Sequence, residues 1–169
     1  ICSMGGLNIQ REKKNKMVEI QVNPEISFTP DNVKINQLAL AAFKFLALDP
    51  NAVSFGIHFS TDDEIQSLNH QYRGIDKPTD VLSFNADVYD PEEETTYLGD
   101  IILSVPTMQR QAALAGHPEN TEILLLITHG LLHLNGYDHA TTTNKEDMWK
   151  LQAEILAAIN IFPKKLPED

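Results

Sequence analysis

Apolar and polar residues alternate in two stretches of the chain, at Val18, Ile20 and Val22 and again at Val53, Phe55, Ile57 and Phe59. A period of two is that of a strand with one buried face, so two strands are predicted. Between them, Pro30-Asp31 opens a segment whose apolar residues Ile35, Leu38, Ala42 and Phe45 follow helical spacing. Strand, helix and strand in that order imply a crossover that leaves the two strands parallel.

Helical periodicity returns after Thr61. Thr61 and Glu64 form a capping box, acids fill the first turn, and Ile65, Leu68 and Tyr72 share one face. Short strands are expected at about Val81 to Phe84 and Leu98 to Val105, and the acidic, turn-rich ADVYDPEEETTY between them reads as a solvated connection. Pro106 to Ala115 reads as a short helix stopped by Gly116, and Pro118 to Asn135 as a longer one with Gly136 just past its end. A second capping box, Thr143 and Glu146, starts a last helix with Met148, Leu151 and Ile155 on its buried stripe. The expected fold class is α+β: a single domain, with a mixed sheet of about four strands packed against helices and no internal linker.

Composition narrows this picture. A chain of 169 residues can bury a core without covalent staples. Its single cysteine, Cys2, excludes a disulfide framework and a cysteine-based zinc finger, and fits a reducing compartment. Any metal must therefore use histidine or carboxylate ligands. Apolar runs such as Ile123 to Ile127 fall far short of the roughly 18 residues of a membrane span, and the first 16 residues, ICSMGGLNIQREKKNK, lack the apolar stretch of a secretory signal. The expectation is a soluble, cytoplasmic protein that does not engage membranes. Residues 1–16 are expected to be an unstructured extension or tag remnant, with Met17 as the natural start, 17–163 as the domain and 164–169 as a tail.

Of the 13 Lys and Arg, four (Arg11, Lys13, Lys14, Lys16) lie in the first 16 residues with one acid, Glu12. Nine bases then face 23 acids in the remainder, a charge of −14 against −11 for the whole chain. Such a body repels polyanions, so a nucleic-acid role requires a local basic site or a basic partner.

The candidate chemistry lies at residues 129–139, HGLLHLNGYDH, which hold three of the six histidines. His129 and His133, four apart on a helix, stand about 40° apart in projection and roughly 6 Å apart along the axis, so both rings can reach one ion. Gly136 can take the left-handed conformation that ends the helix and returns His139 toward the pair. Three neutral imidazoles without an obvious fourth ligand describe a catalytic zinc site, one ion per chain, with water in the open position at the C-terminal end of a central helix. An isolated H-x-x-x-H is more often chance or a surface pair; the third histidine after a chain-turning glycine makes coincidence a poor account. His58, on the polar side of its strand, faces solvent or a helix, and His70 lies off its helix's apolar stripe, so neither is given a role. His117 is placed to cap the following helix, with a part behind the ligands less favoured, and Trp149 and the leucines around His129 are assigned to the core.

The spacing H-x-x-x-H-x-x-G-x-x-H matches the metzincin peptidases. Those carry Glu directly after the first histidine as general base, where this chain has Gly130. The stretch resembles more closely the signature of the YbeY family of zinc-dependent endoribonucleases, also called rRNA maturation factors. The likeness extends to LNHQYRGIDKPTDVLSF at 68–84, LGDIILS at 98–104 and QAALAGH at 111–117, and covers most of Met17 to Asn160. Asn85 stands where the family more often has Pro.

The resemblance implies that His129, His133 and His139 bind the metal. It implies cleavage of single-stranded RNA rather than DNA, maturation of the small-subunit rRNA 3′ end, ribosome quality control, and work beside small-subunit ribosomal proteins. It also selects Arg73, whose guanidinium can clamp a phosphate at two points and stabilise charge in phosphoryl transfer. The catalytic residues expected are thus Arg73 and His129, with Lys77 on the same loop as a further phosphate contact. Zinc would act as Lewis acid, as source of a bound hydroxide, or both; Asp138, beside a ligand, is left unassigned because a carboxylate there can orient a histidine instead. Three functions remain in contention: the endoribonuclease, a metal-dependent hydrolase of another substrate such as a peptide, and a non-catalytic ribosome-assembly factor with structural zinc.

Overall fold

The computed structural model describes residues 16–164, so the expectations for residues 1–15 and 165–169 lie outside the described residues. The first alternating stretch is β1 (Val18–Val22), and the helix after it is α1 (Asn32–Phe45). Asp31 caps α1 by accepting from the Lys34 amide at 3.0 Å. The second alternating stretch is β2 (Val53–Ser60). It pairs in parallel with β1, Ile20 opposite Ile57, as the crossover argument requires.

α2 (Asp62–Arg73) follows, capped by Thr61. Then come β3 (Val81–Asp90), β4 (Thr95–Ser104), α3 (Val105–Ala115), α4 (Glu119–Leu134) and α5 (Thr142–Ala157). The sheet order is β1-β2-β4-β3, with β4 parallel to β2 and antiparallel to β3, which makes the expected four-stranded mixed sheet. One sheet face, with Phe55, Ile57, Phe59, Ile101 and Leu103, packs on α1, α4 and α5 in the main core. The other carries a smaller cluster in which Ile65 of α2 meets Leu82 and Ile102.

α4 is the centre of the fold. Every residue from Thr121 to Leu132 is buried, as befits a helix that is apolar almost all round.

Several local expectations shift. ADVYDPEEETTY is largely a β-hairpin: β3 runs on to Asp90, β4 starts at Thr95, and Tyr89 pairs with Thr96. Its valine, tyrosines and threonines are strand formers whose cross-strand pairing outweighs the acidity of the tip. The turn itself is made by Asp90, whose carboxylate accepts from the Glu92 and Glu93 amides at 2.9 and 3.3 Å. Phe45 falls on the flank of the α1 stripe and is 45 % exposed, while Phe43 is fully buried. Tyr72 is 61 % exposed, its ring edge-on to Phe84. The cap of α5 is Thr141 rather than Thr143; the first threonine of the run has the extended backbone from which its hydroxyl reaches the Asn144 amide.

Asp62 joins two helix starts. It lies in the first turn of α2 and accepts from Ser104 Oγ at 2.5 Å, Thr107 Oγ1 at 2.6 Å and Arg110 at 2.8 Å, which stand at the N-cap and in the first two turns of α3. Burial opposes ionisation, but the Ser104, Thr107 and Arg110 bonds outweigh it and hold the carboxyl below its ordinary range. A depressed carboxyl stabilises the fold above its unfolded value, about 3.9, and that contribution is lost as pH falls below this toward the folded value. Asp62→Ala is therefore expected to cost about 1–3 kcal/mol at pH 7. Urea melts of the two proteins should converge on acidification below about pH 4; a difference that persists there would contradict the ionic account.

Candidate metal centre

The last turns of α4 carry His129, 8 % exposed, and the half-buried His133. The helix then closes as the sequence predicts. Gly136 has φ +87°, its amide donates to the His133 carbonyl at 3.0 Å, and the Tyr137 amide donates to the Leu132 carbonyl at 3.1 Å. That paired closure reverses the chain and brings His139 back over the helix end. Asp138 fixes the returning turn: one oxygen accepts from Asn144 Nδ2 at 2.9 Å and the Ala140 amide at 3.1 Å. The Asn144 bond first, and the Ala140 amide after it, hold its carboxyl below the ordinary range.

The three histidines converge. Their ligand atoms lie within 4.8 Å of one another, and Nε2 of His129 and His133 are 3.1 Å apart. Two imidazole nitrogens bound to one tetrahedral zinc at about 2.05 Å would sit about 3.3 Å apart, so the donor set and its spacing fit a shared cation.

A cleft of about 460 Å³ opens over the trio, lined also by Arg73, Thr79, Asp80, Val81, Leu82, Ser83 and Asn85. Its far wall is β3, the edge strand, and two side chains bind that strand to α4. Ser83 Oγ donates to the Gly130 carbonyl at 3.2 Å, and Asn85 Nδ2 donates to the Leu134 carbonyl at 3.0 Å. The second bond gives a physical reason for Asn at 85: a proline there has no side-chain donor for a helix-end carbonyl.

Arg73 is the last residue of α2, which Gly74 ends at φ +71°. Its side chain is exposed and lines the cleft, and no carboxylate pairs with it among the described residues. Lys77 lies on the loop beyond. It is exposed and is not among the residues lining the cleft, while its carbonyl accepts from Asn69 at 2.8 Å.

The remaining histidines fall elsewhere. His58 faces α2 and bonds Glu64 at 2.9 Å, and His70 is exposed. His117 is buried; it accepts the Lys164 amide on Nδ1 and bonds Glu122 through Nε2, which secures the start of α4, away from the ligands. Burial pushes the Glu122 carboxyl up despite that bond.

Gly130 also has a structural reason. A Cβ there would lie 2.8 Å from Ile101 Cγ2 and 3.1 Å from Ser83 Oγ, so position 130 faces the sheet. Gly130→Ala gains helix propensity worth about 1 kcal/mol but overpacks a closed contact, which costs about 1–3 kcal/mol. The expected net effect is a lower melting temperature, and a higher one would show that α4 can lift off the sheet freely.

A family model described as Endoribonuclease YbeY matches residues 11–160. The chain belongs to the YbeY endoribonuclease family. Among its relatives, the Endoribonuclease YbeY of Desulforamulus reducens is 50 % identical over 110 residues, covering 63 % of this chain and 72 % of the relative. That of Shouchella clausii is 35 % identical over 157 residues, covering 86 % and 97 %. The solution structure of TM1509 from Thermotoga maritima superposes with a TM-score of 0.55 at 25 % identity, covering 90 % of this chain and 97 % of that one.

Sequence reasoning missed two residues of this chain that stand beside the three histidines. Trp149, assigned to the core, is only half-buried, and its ring centre lies 6.1 Å from that of His139. Gln152 is buried behind His129, its Oε1 3.3 Å from Nδ1. A polar amide midway between Met148 and Ile155 on an apolar stripe was the available signal.

Proposed function

We propose that this chain is a zinc-dependent endoribonuclease that cuts single-stranded RNA and matures the 3′ end of small-subunit rRNA, with a part in ribosome quality control. The observation that carries this reading is the placement of Arg73 in the same cleft as the three histidines. His129, His133 and His139 would hold the zinc, which supplies Lewis acidity to a phosphodiester. Arg73 binds the scissile phosphate and neutralises the charge that grows on it in the transition state. Ser83 and Asn85 keep the opposing wall in register with the ligand helix. The cleft has the volume of a small-ligand pocket, which suits a single unpaired nucleotide.

The other two readings fare worse. A peptidase of this spacing needs a carboxylate after the first histidine, and position 130 faces the sheet. A structural zinc site is closed by four ligands, whereas among the described residues the group that could hold an ion is the three histidines, and it opens on a cleft.

The acidic composition predicts weak binding to naked, unstructured RNA at physiological salt, with basic small-subunit proteins supplying affinity. Nanomolar binding to arbitrary RNA would contradict this. No described helix is long and apolar enough to cross a membrane, and the proposed place of action is the cytoplasm. The deciding experiment incubates the zinc-loaded protein with single-stranded RNA, the same RNA as a duplex, a 3′-extended small-subunit rRNA and a peptide, each with and without chelator. Chelator-sensitive cutting of the unpaired RNAs alone is expected; cutting of the peptide, or of nothing, would overturn the reading.

A further inference from the structure

Gln152 occupies the centre of the buried face of α5, in line with Met148, Ile155 and Leu156, and is 1 % exposed. An apolar residue of similar size would suit that stripe better, because a buried amide with incomplete hydrogen bonding destabilises the fold. Its hydrogen bonding is incomplete here: Oε1 lies at 3.3 Å from His129 Nδ1, and Nε2 has no partner among the described residues. A costly side chain aimed at one particular ring nitrogen calls for a reason in that ring's chemistry.

The ring's orientation supplies it. His129 and His133 approach each other through Nε2, so His129 must keep a lone pair on Nε2 to ligate and must carry its proton on Nδ1. That proton is buried beneath α5 and needs an acceptor. Without one, the ring would bury an unpaired N–H or move the proton to Nε2 and lose the ligating lone pair.

We propose that Gln152 is a positioning residue for the metal centre, fixing His129 in the Nδ1–H form through Oε1 so that Nε2 is free to ligate. The inference rests on the reading that the trio holds zinc. It adds a residue outside the ligand set, and it gives α5 a function, since Trp149 one turn earlier stands against His139. The neutral amide has a further effect. A carboxylate in its place would accept the same proton more strongly and raise the ligand's basicity, which tightens the metal.

The test measures zinc dissociation constants by competition with a chromophoric chelator, using zinc alone, for wild type, Gln152→Leu and Gln152→Glu. Gln152→Leu should melt near the wild-type temperature, because relief of an ill-satisfied amide on an apolar stripe offsets the lost acceptor for Nδ1–H, yet bind zinc roughly 10- to 100-fold more weakly. Gln152→Glu should match or exceed wild-type affinity, a rescue that a purely structural role does not predict. Should the Leu variant fail to fold, the Glu variant and two-bond ¹H–¹⁵N spectra of the wild type carry the test, since the spectra report directly which nitrogen of His129 is protonated. Zinc binding by Gln152→Leu equal to wild type, weaker binding by Gln152→Glu, or an Nε2–H form of His129 in wild type would each overturn the proposal. A wild-type protein that binds no zinc overturns the metal centre itself and the proposal with it.

Discussion

Replacing Arg73 with Ala should lower the rate of RNA cleavage by roughly two to three orders of magnitude, the usual effect of deleting one preorganised stabiliser of transition-state charge. Arg73 is exposed at the end of α2, and no carboxylate is paired with it among the described residues. Removing it therefore disturbs neither the core nor the ligand set. Zinc content and melting temperature should match wild type, and the loss should fall on turnover more than on RNA affinity. Arg73→Lys should recover only part of the rate, because an ammonium keeps the charge but loses the two-pronged grip on phosphate. Turnover, zinc content and thermal melting across the three proteins decide the matter. Cutting at the wild-type rate by the Ala variant would remove Arg73 from the mechanism, and early melting or zinc loss would make its role structural.

His133→Ala should abolish both metal retention and cleavage. It deletes one of three converging imidazoles, and two histidines with an open cleft in front of them hold zinc poorly. The side chain is half-buried at the helix end rather than in the core, so the fold should survive. Metal analysis after dialysis is expected to give close to one zinc per wild-type chain and close to none in the variant, with cleavage at background. Protons compete with metal for imidazole, so wild-type zinc content should also be lower at pH 5 than at pH 7. Full occupancy in His133→Ala would dismiss the three-histidine assignment.

Much of this architecture is legible in the sequence wherever one signal has no local competitor. The alternation of Val53, Phe55, Ile57 and Phe59 has no helical reading, and it marks β2; the histidine spacing and Gly136 specify the turn that gathers the three histidines, which closes by the hydrogen bonds the pattern implies. Failures occur where tertiary pairing overrides local chemistry. Residues 86–97 are acidic enough to read as a loop, and only pairing across the hairpin makes them strands. Thr141, Thr142 and Thr143 are equivalent as caps until the returning turn fixes where α5 begins. Gln152 is legible only as a polar residue on an apolar stripe, for a different reason. Its meaning depends on lying behind His129, 23 residues away, and no periodicity within α5 reports what stands opposite.

The three histidines fall within eleven consecutive residues, one helix end and its closing turn. Closing so short a loop costs an unfolded chain little entropy, so the denatured protein can also gather imidazoles around an ion. Zinc held by the trio would then bind both ends of the folding equilibrium, and only the ratio of the two affinities would add to stability. Saturating metal should accordingly raise the melting temperature by much less than its affinity for the native protein would suggest. Folding contributes what the segment lacks by itself: the opposing wall of Ser83 and Asn85, the cation at Arg73 and the amide behind His129. The capacity to hold an ion is local in this chain, and the capacity to use it belongs to the whole fold.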